Sequence, residues 1–186
     1  MLYEVLNMAQ YPISLNLLLS QEGSYVCNED DPGGATKYGV SLRYLRNQKL
    51  LNGDIDDDGD IDENDIKLLT YADVEKLYRI EFWDKNNLSR VKSQRIANMI
   101  FCNCVNMGPV RAIKILQKSL NIVNNSNLKE DGILGEETID IINDTTESAL
   151  LATYKDRCRL FYMLIAAKNK KLQQFLRGWI RRVNTY

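Results

Sequence analysis

The sequence predicts an all-α fold, mainly helical, with one small loop or β-hairpin region near the N-terminus. Three observations predict it. Only three prolines occur in 186 residues, so few helices are interrupted. Apolar residues recur at three-to-four spacing through most of the chain, the period of a helix with one buried face. Residues 23–40 break that period and are rich in Gly, Asp, Asn and Thr, which favours a loop or short hairpin.

The elements follow in chain order. Residues 13–21 form a short apolar helix running into Glu22, and residues 40–50 resume a helical pattern. An acidic run, Asp54–Asp65, comes next. Thr70–Lys85 then places Val74, Leu77, Tyr78 and Phe82 on one face. Ile96–Val105 is strongly apolar, as expected of a buried central helix. Gly108-Pro109 opens another, with Pro at the first position, where its missing N–H costs nothing, and Ile113, Leu116 and Leu120 as its buried stripe. Asn121–Asp131 reads as a polar loop. Thr138, near an N-cap, starts a short helix to Ile142. Ala149–Lys168 and Leu172–Val183 are the last two helices.

Composition narrows the chemistry. The chain is 45% hydrophobic and 26% charged, enough to bury a core and stay soluble. No run of eighteen apolar residues exists, so no membrane span is expected. Residues 1–11 carry Glu4 and no Lys or Arg, unlike a Sec-type signal peptide. The four cysteines, Cys27, Cys102, Cys104 and Cys158, read as reduced thiols. There is no histidine, which removes Ser-His-Asp and Cys-His catalysis and histidine-ligated zinc. Acid–base work then falls to carboxylates, Tyr or Lys. A net charge of −1 argues against nucleic acid as a partner.

The segment Glu22-Gly23-Ser24-Tyr25-Val26, followed by Asp31-Pro32-Gly33-Gly34-Ala35-Thr36-Lys37-Tyr38-Gly39-Val40, concentrates candidate chemistry. A Glu at the end of an apolar helix sits between core and cleft. Burial there raises its pKa and keeps it protonated, as an acid that protonates a leaving oxygen must be. Asp31, Thr36 and Tyr38 offer hydrogen bonds to a substrate or a water. Spacing alone leaves open a helix end followed by a solvated turn.

These motifs resemble the signature of glycoside hydrolase family 108, lysozyme-like muramidases of phages and prophages. The resemblance implies a lysozyme-like fold and makes Glu22 the catalytic acid, with Ser24 standing where the family carries a second Gly. Leu77-Tyr78-Arg79-Ile80-Glu81-Phe82-Trp83-Asp84 resembles the family's Tyr-Arg … Tyr-Trp-Asp segment, with Phe82 at the Tyr position. By analogy with lysozyme-like order, Asp31 and Thr36 are second-rank candidates that position water, and Tyr38 and Tyr78 join them as substrate contacts.

In the acidic run, counting Asp54 as position one, carboxylates fall at one, three, five and nine, Gly59 at six, Ile61 at eight and Asp65 at twelve. This is the EF-hand loop pattern, dockerin-like in carrying Asp at the last position. Asp54, Asp56, Asp58 and Asp65 are the side-chain ligands, Asp60 offers its carbonyl, and Asp62 acts directly or through water. Eight acidic residues in twelve repel one another without a cation. A structural Ca²⁺ is the expected cofactor, with none needed for catalysis. The loop is no part of the family signature and reads as an insertion.

The C-terminal half carries Asn106-Met107-Gly108-Pro109, Gln117, Leu120 and Asp131-Gly132-Ile133-Leu134-Gly135 … Thr138. These resemble the predicted peptidoglycan-binding region that accompanies family 108, as does the tail Phe175–Val183. A packing role without ligand stays open. The basic tail, with Lys168, Lys170, Lys171, Arg177, Arg181 and Arg182, suggests contact with an anionic envelope surface.

The expected organisation is a catalytic region over residues 1–90, with the calcium loop inserted at 54–65, and a peptidoglycan-binding-like region over 91–186 sharing one core with it. The expected activity is hydrolysis of the β-1,4 bond between N-acetylmuramic acid and N-acetylglucosamine by a monomeric endolysin. It is expected to be made in the cytoplasm and to reach the wall through holin-type release or dedicated secretion. A lytic transglycosylase, or a non-catalytic calcium-dependent wall-binding scaffold, are the alternatives.

Overall fold

The computed structural model describes residues 8–21, 25–26, 35–47 and 53–185. The fold is mainly α, with a small antiparallel sheet where the hairpin region was expected. Glu22, Asp31 and Cys27 lie outside the described residues. The chain divides into two compact units: Met1–Ser14 with Phe82–Tyr186, and Leu15–Glu81.

Helix α1, Tyr11–Gln21, opens with Pro12 in its first turn, where proline's fixed φ suits a helix start. Strands β1 (Tyr25–Val26), β2 (Thr36–Lys37) and β3 (Val40–Ser41) form the sheet in that order. Helices α2 (Leu42–Leu45), α3 (Glu63–Leu68) and α4 (Tyr71–Tyr78) follow. The core of the unit Leu15–Glu81 is Leu15, Leu18, Val40, Leu45, Ile66, Leu69, Val74 and Leu77, all buried. Both α3 and α4 start on reciprocal capping boxes, Asp62 with Asp65 and Thr70 with Asp73. Helix α4 passes into a π-helical segment, Arg79–Asp84, rather than continuing regularly to Lys85.

The other unit is built on α5, Gln94–Met107, capped by the Ser93 hydroxyl, which accepts the Ile96 N–H at 3.1 Å. Ile96, Ala97 and every residue from Met99 to Cys104 are buried, as a central helix requires. Gly108 (φ 87°) breaks α5 and Pro109 starts α6, Pro109–Asn124. The helix absorbs Asn121–Asn124 from the stretch expected to be loop, and the loop is tied back to it. Asn121 accepts the Leu128 N–H (2.7 Å) and donates to the Leu128 carbonyl (2.8 Å).

Helices α7 (Glu136–Asp144), α8 (Glu147–Lys168) and α9 (Gln173–Thr185) complete the unit. Thr138 is not at the cap. Gly135 is, and Thr138 is buried one turn inside. Within this unit α5 and α8 pack against α6, and α9 against α8. Tyr11, Trp83 and Phe101 meet edge to face, with centroids 5.6–5.9 Å apart. No helix among the described residues is long and apolar enough to cross a membrane.

Candidate active site

The sheet beside the end of α1 is the only part of the Glu22–Val40 signature with described geometry. Helix α1 ends at Gln21, the residue before Glu22, and β1 begins three residues after it. Strand β2 lies between the other two, and Thr36 is paired with Val26 on one side and Ser41 on the other. Thr36 is half-buried.

Tyr38 and Gly39 form the two-residue turn between β2 and β3, at φ 51° and 82°. Two positive φ values suit the right-handed twist of a hairpin, but Tyr pays for the first in backbone strain. Three contacts hold it there. The Tyr78 hydroxyl donates to the Tyr38 carbonyl at 2.9 Å, the Tyr71 ring meets the Tyr38 ring edge-on at 6.5 Å, and Lys37 Nζ lies 5.7 Å from that ring. Tyr78, expected among the substrate contacts, is 1% exposed. Burial withdraws its ring from solvent, and its hydroxyl holds the turn.

Two further links join the sheet to α3 and the end of α2 to the acidic loop. Lys37 Nζ donates to the Lys67 carbonyl at the end of α3, satisfying an orphan helix carbonyl. Arg46, just after α2, donates through Nε to the Ile61 carbonyl at 2.8 Å. Tyr44, Tyr71 and Glu81 also belong to this region and were not singled out from the sequence. Burial pushes the Tyr44 hydroxyl well up, and the nearby Glu81 charge adds to it. The signal for Glu81 was its place in the Tyr78–Asp84 motif.

The acidic loop curls back on its own carboxylates. Asp57 (φ 58°) and Gly59 (φ 96°) curl the backbone so that Asp58 N–H and Gly59 N–H both point at the Asp54 carboxylate, at 3.1 and 3.0 Å. Gly53 packs so closely on Ile61 that a Cβ would stand 2.5 Å from its side chain. Carboxylate oxygens of Asp54, Asp56 and Asp65 lie within 4.8 Å of one another, and so do those of Asp60, Asp62 and Asp65. Asp65 is shared and buried. Asp58 belongs to neither group: its carboxylate accepts the Asp60 N–H at 3.1 Å. Asp60 contributes a carboxylate and not only a carbonyl.

The electrostatics fit that grouping. Burial, then the charges of Asp58 and Asp65, push the Asp56 carboxyl up. The Asp58 charge first, then burial, does the same to Asp60. Burial pushes Asp65 up too, but backbone N–H groups of Asp62, Ile55 and Asp56 outweigh it and hold the carboxyl below its usual value. The donors are all oxygen, the type a hard divalent cation takes.

Among the described residues, the Cys102, Cys104 and Cys158 thiols are buried and outside any disulfide, and burial pushes Cys104 and Cys158 far above a reactive range. In the C-terminal motif, Gln117 is buried on α6 and clamps the Asp131 turn. Its Nε2 donates to Asp131 Oδ1 (2.9 Å) and to the Ile133 carbonyl (3.1 Å), while its Oε1 accepts the Gly132 N–H (2.9 Å). Gly132 sits at φ 84°, and a Cβ there would stand 2.7 Å from the Val110 carbonyl.

Residues 15–108 match the model of the glycosyl hydrolase 108 family. The chain belongs to that family. Residues 111–184 of this family 108 chain match a second model, described as a predicted peptidoglycan domain. Together the two make it a glycoside hydrolase acting on peptidoglycan. Among solved structures, SagA of Brucella abortus is similar, with a TM-score of 0.74 over 94% of the family 108 chain and 89% of SagA. At 22% identity that likeness speaks for a shared fold. No curated protein matches the chain.

Proposed function

We propose that this glycoside hydrolase is an N-acetylmuramidase of the endolysin kind, cleaving the β-1,4 bond between N-acetylmuramic acid and N-acetylglucosamine, with Glu22 as its general acid. The observation that carries the reading is the order helix, Glu, sheet: α1 ends at Gln21 and the sheet bearing Thr36 starts at Tyr25. The end of an apolar helix is a low-dielectric neighbourhood, and such a neighbourhood favours the protonated form of a carboxyl. Glu22 protonates the glycosidic oxygen as the bond breaks, and Thr36, with Asp31, orients the water that completes hydrolysis. A second carboxyl about 5 Å from Glu22 gives retention, and one beyond about 6.5 Å gives inversion.

Glu22→Gln keeps shape and removes the proton. It is expected to abolish turbidity clearing of purified peptidoglycan, at least about 10³-fold, with an unchanged melting temperature. Undiminished clearing by the variant would show that another group is the acid. Mass spectrometry of the released fragments separates hydrolysis, which yields reducing sugars, from transglycosylation, which yields anhydro ends.

We propose further that the loop Asp54–Asp65 binds a structural Ca²⁺ through Asp54, Asp56, Asp65 and the Asp60–Asp62 side. Two features support it: the paired carboxylate groups that share Asp65, and the burial and mutual repulsion that together raise Asp56 and Asp60. At a hundredfold excess over Kd, binding adds about 2.7 kcal/mol, or roughly 5–10 °C in melting temperature. EDTA should reverse that rise. Asp56→Asn should abolish it and yet melt higher than the parent protein in EDTA, because one repelling charge is gone. A folded-state pKa above the ordinary one means that ionisation of Asp56 and Asp60 costs stability above that pKa. Acidification through it relieves the cost in EDTA and weakens Ca²⁺ binding. Calorimetry showing no Ca²⁺ heat and no thermal shift would reject the site.

A further inference from the structure

Helix α8 is apolar on nearly every side in its second half, yet only one side is covered. Tyr154, Cys158, Tyr162 and Ala166, four residues apart, face the core and are buried. On the far side Leu160, Met163 and Leu164 stand 44%, 55% and 51% exposed. A helix apolar all round normally lies inside a protein or a membrane.

The exposed side is continuous with a groove of about 460 Å³ at the junction of α5 and α6. Met107, Val110 and Ile115 line it together with Phe161, which shares a helix side with Leu164. The Arg111 guanidinium lies over the Phe161 ring, 5.1 Å from its centre, and Lys114 adds a second cation to the wall. On the next side of α8, α9 is held by Trp179 stacked on Tyr162 at 5.0 Å and by Arg159 donating to Asn184 at 3.0 Å. It presents Arg177 and Arg181 to solvent, with half-exposed Leu176 and Ile180 beside them.

Charge singles out the occupant. Residues 157–186 carry eight basic side chains and no acidic one, and α6 carries three and none, in a chain whose net charge is −1. Two copies of this face would repel each other, which disfavours self-association. A soluble polyanion would satisfy the cations and leave Leu160, Met163 and Leu164 in water. A bilayer with anionic headgroups satisfies both: apolar side chains enter the boundary between headgroup and acyl chain, and Lys and Arg reach back to the phosphates.

We propose that the face formed by α6, the second half of α8 and α9 docks on an anionic phospholipid bilayer, so that the enzyme is held at a membrane surface while it works on the adjoining wall. The test is sedimentation of the full chain with vesicles of phosphatidylcholine alone and with phosphatidylglycerol added. Binding is expected only with the anionic lipid, and it should weaken as salt rises. Arg177→Gln with Arg181→Gln should weaken it about thirtyfold, two charges at about fivefold each. Leu160→Asn with Leu164→Asn, both on the exposed side, should weaken it at least about tenfold. If the leucine pair lowers the helical circular dichroism signal, the arginine pair decides alone.

Three results would overturn the proposal. One is equal binding to the two vesicle types. Another is binding that soluble polyglutamate competes away and that the leucine pair leaves unchanged. The third is a dimer in sedimentation velocity that the leucine pair dissolves.

Discussion

In the unit Leu15–Glu81 the backbone is held by long side chains that reach distant carbonyls: Tyr78 to Tyr38, Lys37 to Lys67 and Arg46 to Ile61. In the unit built on α5 the backbone is held by regular helices around an unbroken buried run, Met99–Cys104. The first kind of support keeps irregular backbone in place, including Tyr38 and Asp57 at positive φ. The second buries a continuous apolar core. Substrate chemistry and ion binding need turns, bulges and converging polar groups, and a helical bundle offers few of these. The difference teaches that damage to one unit should appear first as lost stability, and damage to the other as lost function.

The largest effect tests the helical unit. Phe101 is fully buried and meets the rings of Tyr11 and Trp83. Phe101→Ala should cost about 3–5 kcal/mol, or roughly 6–20 °C in melting temperature by calorimetry. Peptidoglycan clearing per folded molecule at low temperature should stay within about twofold. A variant that melts normally but clears slowly would break the contrast between the units.

A smaller loss of stability with a larger loss of activity is expected at Tyr78. Tyr78→Phe removes the donor from the Tyr38 carbonyl and should cost about 1–2 kcal/mol in urea unfolding. Clearing should fall at least about tenfold, because the turn beside Thr36 loses its anchor. Full activity in this variant would show that the strained turn does not serve the site.

The smallest effect concerns Asp131. The Gln117 amide first, then the Ile133 N–H, holds its carboxyl below the ordinary value of 3.8. A depressed folded pKa contributes stability above the unfolded pKa, and that stability is lost as pH falls through the folded value. Asp131→Asn should therefore flatten the fall in melting temperature below about pH 4. An unchanged acid profile would remove the turn's charge from the account of this unit.

Much of this was legible in one dimension. The apolar stripes of α5, α6 and α8 follow from local period, and their ends lie within a few residues of where the pattern changes. Gly59 and Gly132 mark two of the loops in which a positive φ is needed. The Glu22–Val40 motif pointed to the family that the matched model then established. What stayed hidden depends on partners remote in sequence. Tyr78 reads like any aromatic on a helix face until the Tyr38 carbonyl, forty residues away, accepts its hydrogen bond. Gln117 is an ordinary helix residue until Asp131, Gly132 and Ile133 fold over it. Carboxylate spacing did not say that Asp58 turns to the Asp60 N–H while Asp62 joins Asp60 and Asp65.

By itself, then, the sequence determined the helical class, the positions of the loops and the family, because hydrophobic period, glycine placement and short motifs are local properties. Only the tertiary structure decided which polar groups meet and which charged and apolar side chains are left facing outward. Those outcomes are set by packing between segments far apart in the chain, and no local pattern records them.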